Sequence, residues 1–291
     1  MNTKIHTAQL QTLTKCTELD YPAIKNQNGT ALIGDEYRVK FNPEGVEGVD
    51  INTKSGFYTA LGITIAECEL ENVRLNRIDI CWDFMDKTFT EMYRPAKLLL
   101  YCMAVQIGYT GNISDTIDGF NIKKKSVKVQ NTKDSGWIYQ FEYYNKKLQK
   151  PKQPVMARLE FRRSGLVDTT ISELDKVNHV AHEFISILSA IASERGSVYT
   201  QTVKELNNNL VAAWKESGCT SLRNFINQNV DSFLAKGQIA DFIRRVRPDI
   251  NNVGKRAQQI TESIGLQMYD KSDLKELISE MITSLRKYLQ S

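Results

Sequence analysis

Three short segments alternate polar and apolar side chains with the period of a β-strand, in which residues i, i+2 and i+4 share a face. In residues 77–84, Arg77, Asp79, Cys81 and Asp83 share one face, and Ile78, Ile80, Trp82 and Phe84 share the other. In residues 139–146, Gln140, Glu142 and Tyr144 oppose Phe141 and Tyr143. In residues 157–163, Arg158, Glu160 and Arg162 oppose Leu159 and Phe161. If the three strands lie in one sheet, carboxylates, a tyrosine and arginines converge on one surface.

Around these segments the pattern predicts strands over 31–41, 56–65, 120–131 and 136–145, and a strand ending at 84. A helix is expected over 90–108, where Met92, Leu98, Leu99, Leu100, Met103 and Ile107 are mostly spaced three or four apart. Residues 146–154, with two prolines, read as a connector. Beyond about residue 168 alternation gives way to helical spacing, in segments 171–194, 201–217, 221–235, 237–246, 253–266 and 272–289. Ser272-Asp273 reads as the cap of the last of these. The fold class is therefore α+β. A sheet-containing domain over 1–165 precedes an all-α domain over 166–291.

The chain has 291 residues, 41% hydrophobic and 25% charged, within the range of globular proteins, and no apolar run long enough to span a membrane. The first ten residues lack the apolar core of a signal peptide. Five cysteines form no CxxC pair, which reads as reduced thiols in a cytoplasmic protein. Charge is distributed unevenly. Residues 121–165 hold twelve Lys and Arg against three Asp and Glu, a net of +9, whereas residues 166–291 hold fifteen of each. A local positive field suits a polyanion such as DNA. Lys123, Lys124, Lys125, Lys147, Arg162 and Arg163 are candidates for that contact. Arg244, Arg245 and Arg247 add a basic cluster ahead of Pro248, readable either as phosphate contacts or as cations favoured at a helix end.

The polar strand face suits a hard cation, a phosphate and an oxygen nucleophile. Asp79, Asp83, Glu142 and Glu160 are candidate oxygen ligands, which favour Mg²⁺ or Mn²⁺. Asp79 and Asp83, four residues apart on a strand, stand ~13 Å apart, so both reach one ion only if the strand bends. Tyr144 is a candidate nucleophile, with Tyr139 and Tyr143 as competitors. Arg158 and Arg162 would offset developing charge, and Lys146 or Lys147 would lower the cost of ionising the phenol. The three histidines, His6, His179 and His182, form no His-x-His pair, and His179 and His182 read as helix surface.

The order RIDICWDF, YYNKK, ARLEFRR resembles rolling-circle replication initiators of plasmids and integrative elements, particularly the replication-initiator/relaxase family of Gram-positive plasmids. Filamentous-phage replication proteins are a weaker likeness. The resemblance covers residues 77–163. It implies an antiparallel-sheet nickase whose tyrosine becomes joined to a DNA 5′-phosphate, with Tyr144 as nucleophile and Asp79 and Glu160 at the metal. It implies origin DNA, single-stranded or hairpin, and a host helicase as partners. Two other readings stand beside it: a non-catalytic DNA-binding regulator on a similar sheet, and a protein whose polar face is solvated surface.

Overall fold

Alternation does build a sheet, and a computed structural model gives its register. It describes residues 1–14, 21–25, 32–33, 36–108, 117–118, 126–133, 136–152, 154–193 and 197–291. The strands are β1 (Asn2–Thr12), β2 (Ile24–Lys25), β3 (Leu32–Ile33), β4 (Glu36–Phe41), β5 (Arg74–Phe84), β6 (Ile117–Asp118), β7 (Ser126–Lys133), β8 (Gly136–Tyr144) and β9 (Ala157–Ser164). They form one sheet in the order β2-β4-β1-β5-β9-β8-β7-β6, with β3 on β4, and every strand pair is antiparallel. The helices are α1 (Lys54–Glu67), α2 (Phe89–Gln106), α3 (Lys146–Gln149), α4 (Lys176–Ala192), α5 (Val198–Ser217), α6 (Leu222–Gln228), α7 (Gln238–Val246), α8 (Val253–Ser263) and α9 (Lys271–Leu289). This is the expected α+β architecture.

The apolar face of the strands carries the main core. Ile78, Ile80, Trp82, Leu159, Phe161, Phe141 and Tyr143 are fully buried there. Helices α2, α4 and α9 pack against the sheet, and Leu98, Phe184, Ile278 and Met281 join its core. The Trp82 and Phe161 rings meet edge-on at 4.7 Å, and Trp82 Nε1 donates to the Met281 carbonyl at 3.0 Å. The last helix of the chain is thereby fixed to the central strand.

The structure departs from the sequence reading at three places. Residues 56–65 form part of α1 rather than a strand. Their buried positions, Phe57, Ala60, Leu61 and Thr64, recur at three-four spacing, and Thr53 caps the helix by accepting from Gly56 N–H. Residues 2–12, read only for a leader, are β1, next to the central strand. The cap of α9 is Asp270, in a reciprocal box with Asp273, two residues before the expected Ser272.

The expected boundary at 165/166 falls where β9 ends, but packing continues across it, since α4 and α9 belong to the core of the sheet. A second, smaller core lies between α5 and α8, formed by Leu210, Phe225, Ile226, Phe233, Phe242, Ile243 and Ile260. It is tied back to α2 by cations on carbonyls. Arg94 donates to the carbonyls of Gln267, Val230 and Phe233, and Lys97 Nζ to that of Asp231 at 2.7 Å. Among the described residues no helix is long and apolar enough to cross a membrane.

Candidate functional site

The register of β1, β5, β9, β8 and β7 sets the polar face in three rows. Asn2, Asp83, Arg158, Tyr144 and Ser126 are successive cross-strand partners in the first. Lys4, Cys81, Glu160, Glu142 and Lys128 make the second. Thr7, Asp79, Arg162, Gln140 and Gln130 make the third. The face is itself largely buried. Asp79, Asp83, Arg158, Glu160 and Tyr144 each expose 3% or less of their surface. Buried charges persist only when paired, and here nearly every one is.

Arg158 donates from Nε and Nη2 to the two Asp83 oxygens at 2.5 and 2.8 Å. Arg77 holds Asp79 in the same two-pronged way at 2.8 and 2.9 Å. Arg162 is the hub of the face. It donates from Nε to Glu160 at 2.8 Å and from Nη1 to Gln140 at 2.8 Å, pairs through Nη2 with Glu142 at 2.9 Å, and lies 3.7 Å from Asp79. Glu142 and Glu160 are direct cross-strand partners, a repulsive placement that the shared guanidinium offsets.

Tyr144 Oη donates to Glu160 Oε2 at 2.8 Å, and the Lys146 ammonium lies 5.7 Å from the Tyr144 ring centre. Burial, reinforced by the Glu160 charge, holds the Tyr144 phenol well above its ordinary range. Burial would raise Glu160 too, but His6 and Arg162 outweigh it and hold Glu160 well below the usual carboxylate range. Burial, then Arg158 and Lys150, lower the Lys146 ammonium to about 8. Tyr143, the competitor on the apolar face, is buried with its hydroxyl on the Phe89 carbonyl at 2.8 Å. Tyr139 also lies on that side, under the Arg163 guanidinium at 5.3 Å.

His6 enters the site without having been singled out. A β-bulge between Ile5 and Thr7 lets both His6 and Thr7 oppose Asp79, and places His6 Nδ1 3.5 Å from Glu160 Oε2. Burial outweighs the pull of Glu160 and lowers the His6 imidazole to about 4, so it is neutral near pH 7. Lys4 and Glu44 are two further members, paired at 2.8 Å. The available signal was the alternation of Lys4, Ile5 and His6 in β1.

Tyr144, Arg158, Lys146, Glu160, Glu142, Asp79, Asp83 and Arg162 thus share one face. Arg163 points the other way, onto Glu183 of α4 at 2.9 Å. Lys147 is exposed on α3. Arg244 and Arg245 are exposed on α7, Arg245 bonding Asn208, and Arg247 is paired with Asp249 at 2.7 Å. Lys123, Lys124 and Lys125 lie outside the described residues.

A divalent ion does not fit the candidate carboxylates as they stand. Each already carries a guanidinium, and among the described residues no three His, Cys, Asp or Glu converge as a ligand set. Arg162 takes the position between Glu160, Glu142 and Asp79 that such an ion would need.

No family model matches the chain, and no curated protein matches it. Among solved structures, it is similar to a rolling circle replication initiator protein from Geobacillus stearothermophilus. That match has 12% sequence identity and a TM-score of 0.30, over 65% of this chain and 84% of that one. A likeness this distant leaves the function to be argued from the chain's own residues.

Proposed function

We propose that this chain is a replication initiator that nicks and rejoins origin DNA through Tyr144. One observation carries the reading: Tyr144 Oη donates to Glu160 Oε2 at 2.8 Å, with Arg158 and Lys146 beside it. A phenol bonded to a carboxylate has a proton acceptor in place for attack on phosphorus. The Tyr144 oxygen forms the new bond to phosphorus and its proton passes to Glu160. The bond from phosphorus to the 3′ oxygen breaks, and that oxygen takes up a proton from Lys146 or water. The product is a 5′-phosphotyrosine and a free 3′-hydroxyl, and the reverse sequence rejoins the strand.

The expected Mg²⁺ or Mn²⁺ carries a condition: Arg162 would first have to leave Glu160 and Glu142. A host helicase partner rests on the motif resemblance alone. A second reading has its own support. Tyr144 is 3% exposed, which favours a DNA-binding initiator without strand cleavage. Incubating the protein with a supercoiled plasmid carrying the DNA that flanks its gene separates the two. The nicking reading expects relaxed plasmid and protein joined to a 5′ end on denaturing gels, both lost in Tyr144→Phe. Binding without any adduct establishes the second reading.

A further inference from the structure

Beside Tyr144 the polar face holds more positive charge than its carboxylates neutralise. Arg158 is completely buried, and its Nε and Nη2 are both taken by Asp83. Its Nη1 is buried without a hydrogen-bond partner. A buried guanidinium N–H left unpaired costs on the order of 1–3 kcal/mol, so it marks a place where a ligand acceptor belongs. Lys146 lies within electrostatic reach of Arg158 and Lys150, both of which disfavour its charge, and of Glu44 and Glu160, which favour it.

Glu44 reaches into this group from the turn Pro43–Gly45. Its two oxygens pair with Lys4 at 2.8 Å and Lys150 at 3.1 Å, and Lys4 also lies 3.8 Å from Asp83. The turn that carries it is fixed. Asn42 caps it, and a Cβ on Gly45 would come within 2.5 Å of the Pro22 and Ala23 backbone. Four cations, Lys4, Lys146, Lys150 and Arg158, therefore share three carboxylates, Glu44, Asp83 and Glu160, the last of which is also bonded by Arg162. Lys150 is 41% exposed, the most accessible of the four cations.

We propose that Arg158, Lys146, Lys4 and Lys150 form a phosphate-binding pocket, and that the Glu44 carboxylate occupies part of it when no DNA is bound. A phosphodiester entering beside Lys150 displaces Glu44 from Lys4 and Lys150 and gives the free Arg158 N–H an oxygen acceptor. Glu44 thereby sets a threshold: a weak anion does not displace it, whereas a phosphate with several oxygens does. The identity of the anion as a DNA phosphodiester rests on the strand-transfer reading; the pocket itself rests on the cations and the unpartnered N–H.

Calorimetric titration of the full chain with inorganic phosphate tests this, with chloride matching the ionic strength. Wild type should bind phosphate saturably. Lys146→Met should weaken binding about tenfold, the loss of one charge-assisted hydrogen bond. Glu44→Gln removes the competing carboxylate and should tighten binding several-fold, a gain that misfolding does not produce. Arg158→Lys, checked for native circular dichroism, should weaken it as Lys146→Met does. Binding unchanged by Lys146→Met, or unchanged or weakened by Glu44→Gln, overturns the pocket. If the pocket behaves as expected and no Tyr144 adduct forms, the strand-transfer reading fails and the pocket stands as a DNA-backbone contact. An adduct from a protein whose phosphate binding ignores both variants rejects the pocket alone.

Discussion

Arg158 and Asp83 face each other across adjacent antiparallel strands and are joined by two parallel hydrogen bonds of 2.5 and 2.8 Å, with the guanidinium fully buried. Neither charge can be removed alone without stranding the other. Arg158→Ala should therefore cost about 3–5 kcal/mol in stability. The paired change Arg158→Met with Asp83→Leu should cost less than either single change. Urea denaturation of Arg158→Ala, the two single changes and the double variant measures this, and a larger loss in the double variant would contradict it.

Tyr144→Phe removes one hydroxyl and leaves Glu160 on Arg162 at 2.8 Å. The stability cost should be about 1 kcal/mol, that of one neutral donor to a charged acceptor that keeps another partner. Thermal melting within a few degrees of wild type, combined with loss of the covalent DNA adduct, would isolate the hydroxyl as the reacting group.

Acid stability carries the signature of His6. Its imidazole is lowered from 6.5 to about 4, so between those values the unfolded chain binds more protons than the folded one. This contribution is complete above pH 6.5 and is lost as pH falls towards 4, by about 3 kcal/mol at most. Asp79, raised by burial to about 6, acts in the opposite sense, gaining stability as pH falls through 6 towards 3.8. His6→Gln should flatten only the first of these. Denaturation midpoints at pH 7 and 4.5 for wild type and variant reveal it as a smaller acid loss in His6→Gln.

Arg162 stands between Glu160, Glu142 and Asp79, at 2.8, 2.9 and 3.7 Å. Wild type should bind Mn²⁺ weakly on this face, and Arg162→Gln should bind it more tightly, because Glu160 and Glu142 lose their guanidinium and are freed for an oxygen-loving ion. Electron paramagnetic resonance of added Mn²⁺ counts the free ion. Tight binding in wild type, abolished by Glu160→Gln, would show that Arg162 yields to a metal.

DNA binding should weaken steeply with salt, since residues 121–165 carry a net charge of +9. For single strands the slope of log affinity against log salt should be about −0.7 for each phosphate neutralised. Titrating a labelled oligonucleotide at two salt concentrations gives it. An affinity indifferent to salt would remove the electrostatic basis of the reading.

The period-two alternation of residues 77–84, 139–144 and 157–163 was enough to define three strands, their faces and the composition of the polar surface, because a pleated strand offers its side chains no other arrangement. The helical spacing after residue 168 likewise located α4, α5 and α7–α9. Segment 56–65 misled because a short apolar run fits a strand or a helix, and only its packing shows that Phe57, Ala60, Leu61 and Thr64 are the buried set. Alternation placed Asp79, Asp83, Glu142 and Glu160 on one face as candidate ion ligands; strand order decided that Asp83, Glu142 and Glu160 each meet an arginine there. Arg158 reaches Asp83, and Arg162 reaches Glu160 and Glu142, because β5, β9 and β8 are neighbours in this register. His6, more than 150 residues from Glu160 in sequence, comes within 3.5 Å through a bulge in a strand two positions away in the sheet. A strand's own residues determine what it can present, and long-range pairing determines what each side chain meets.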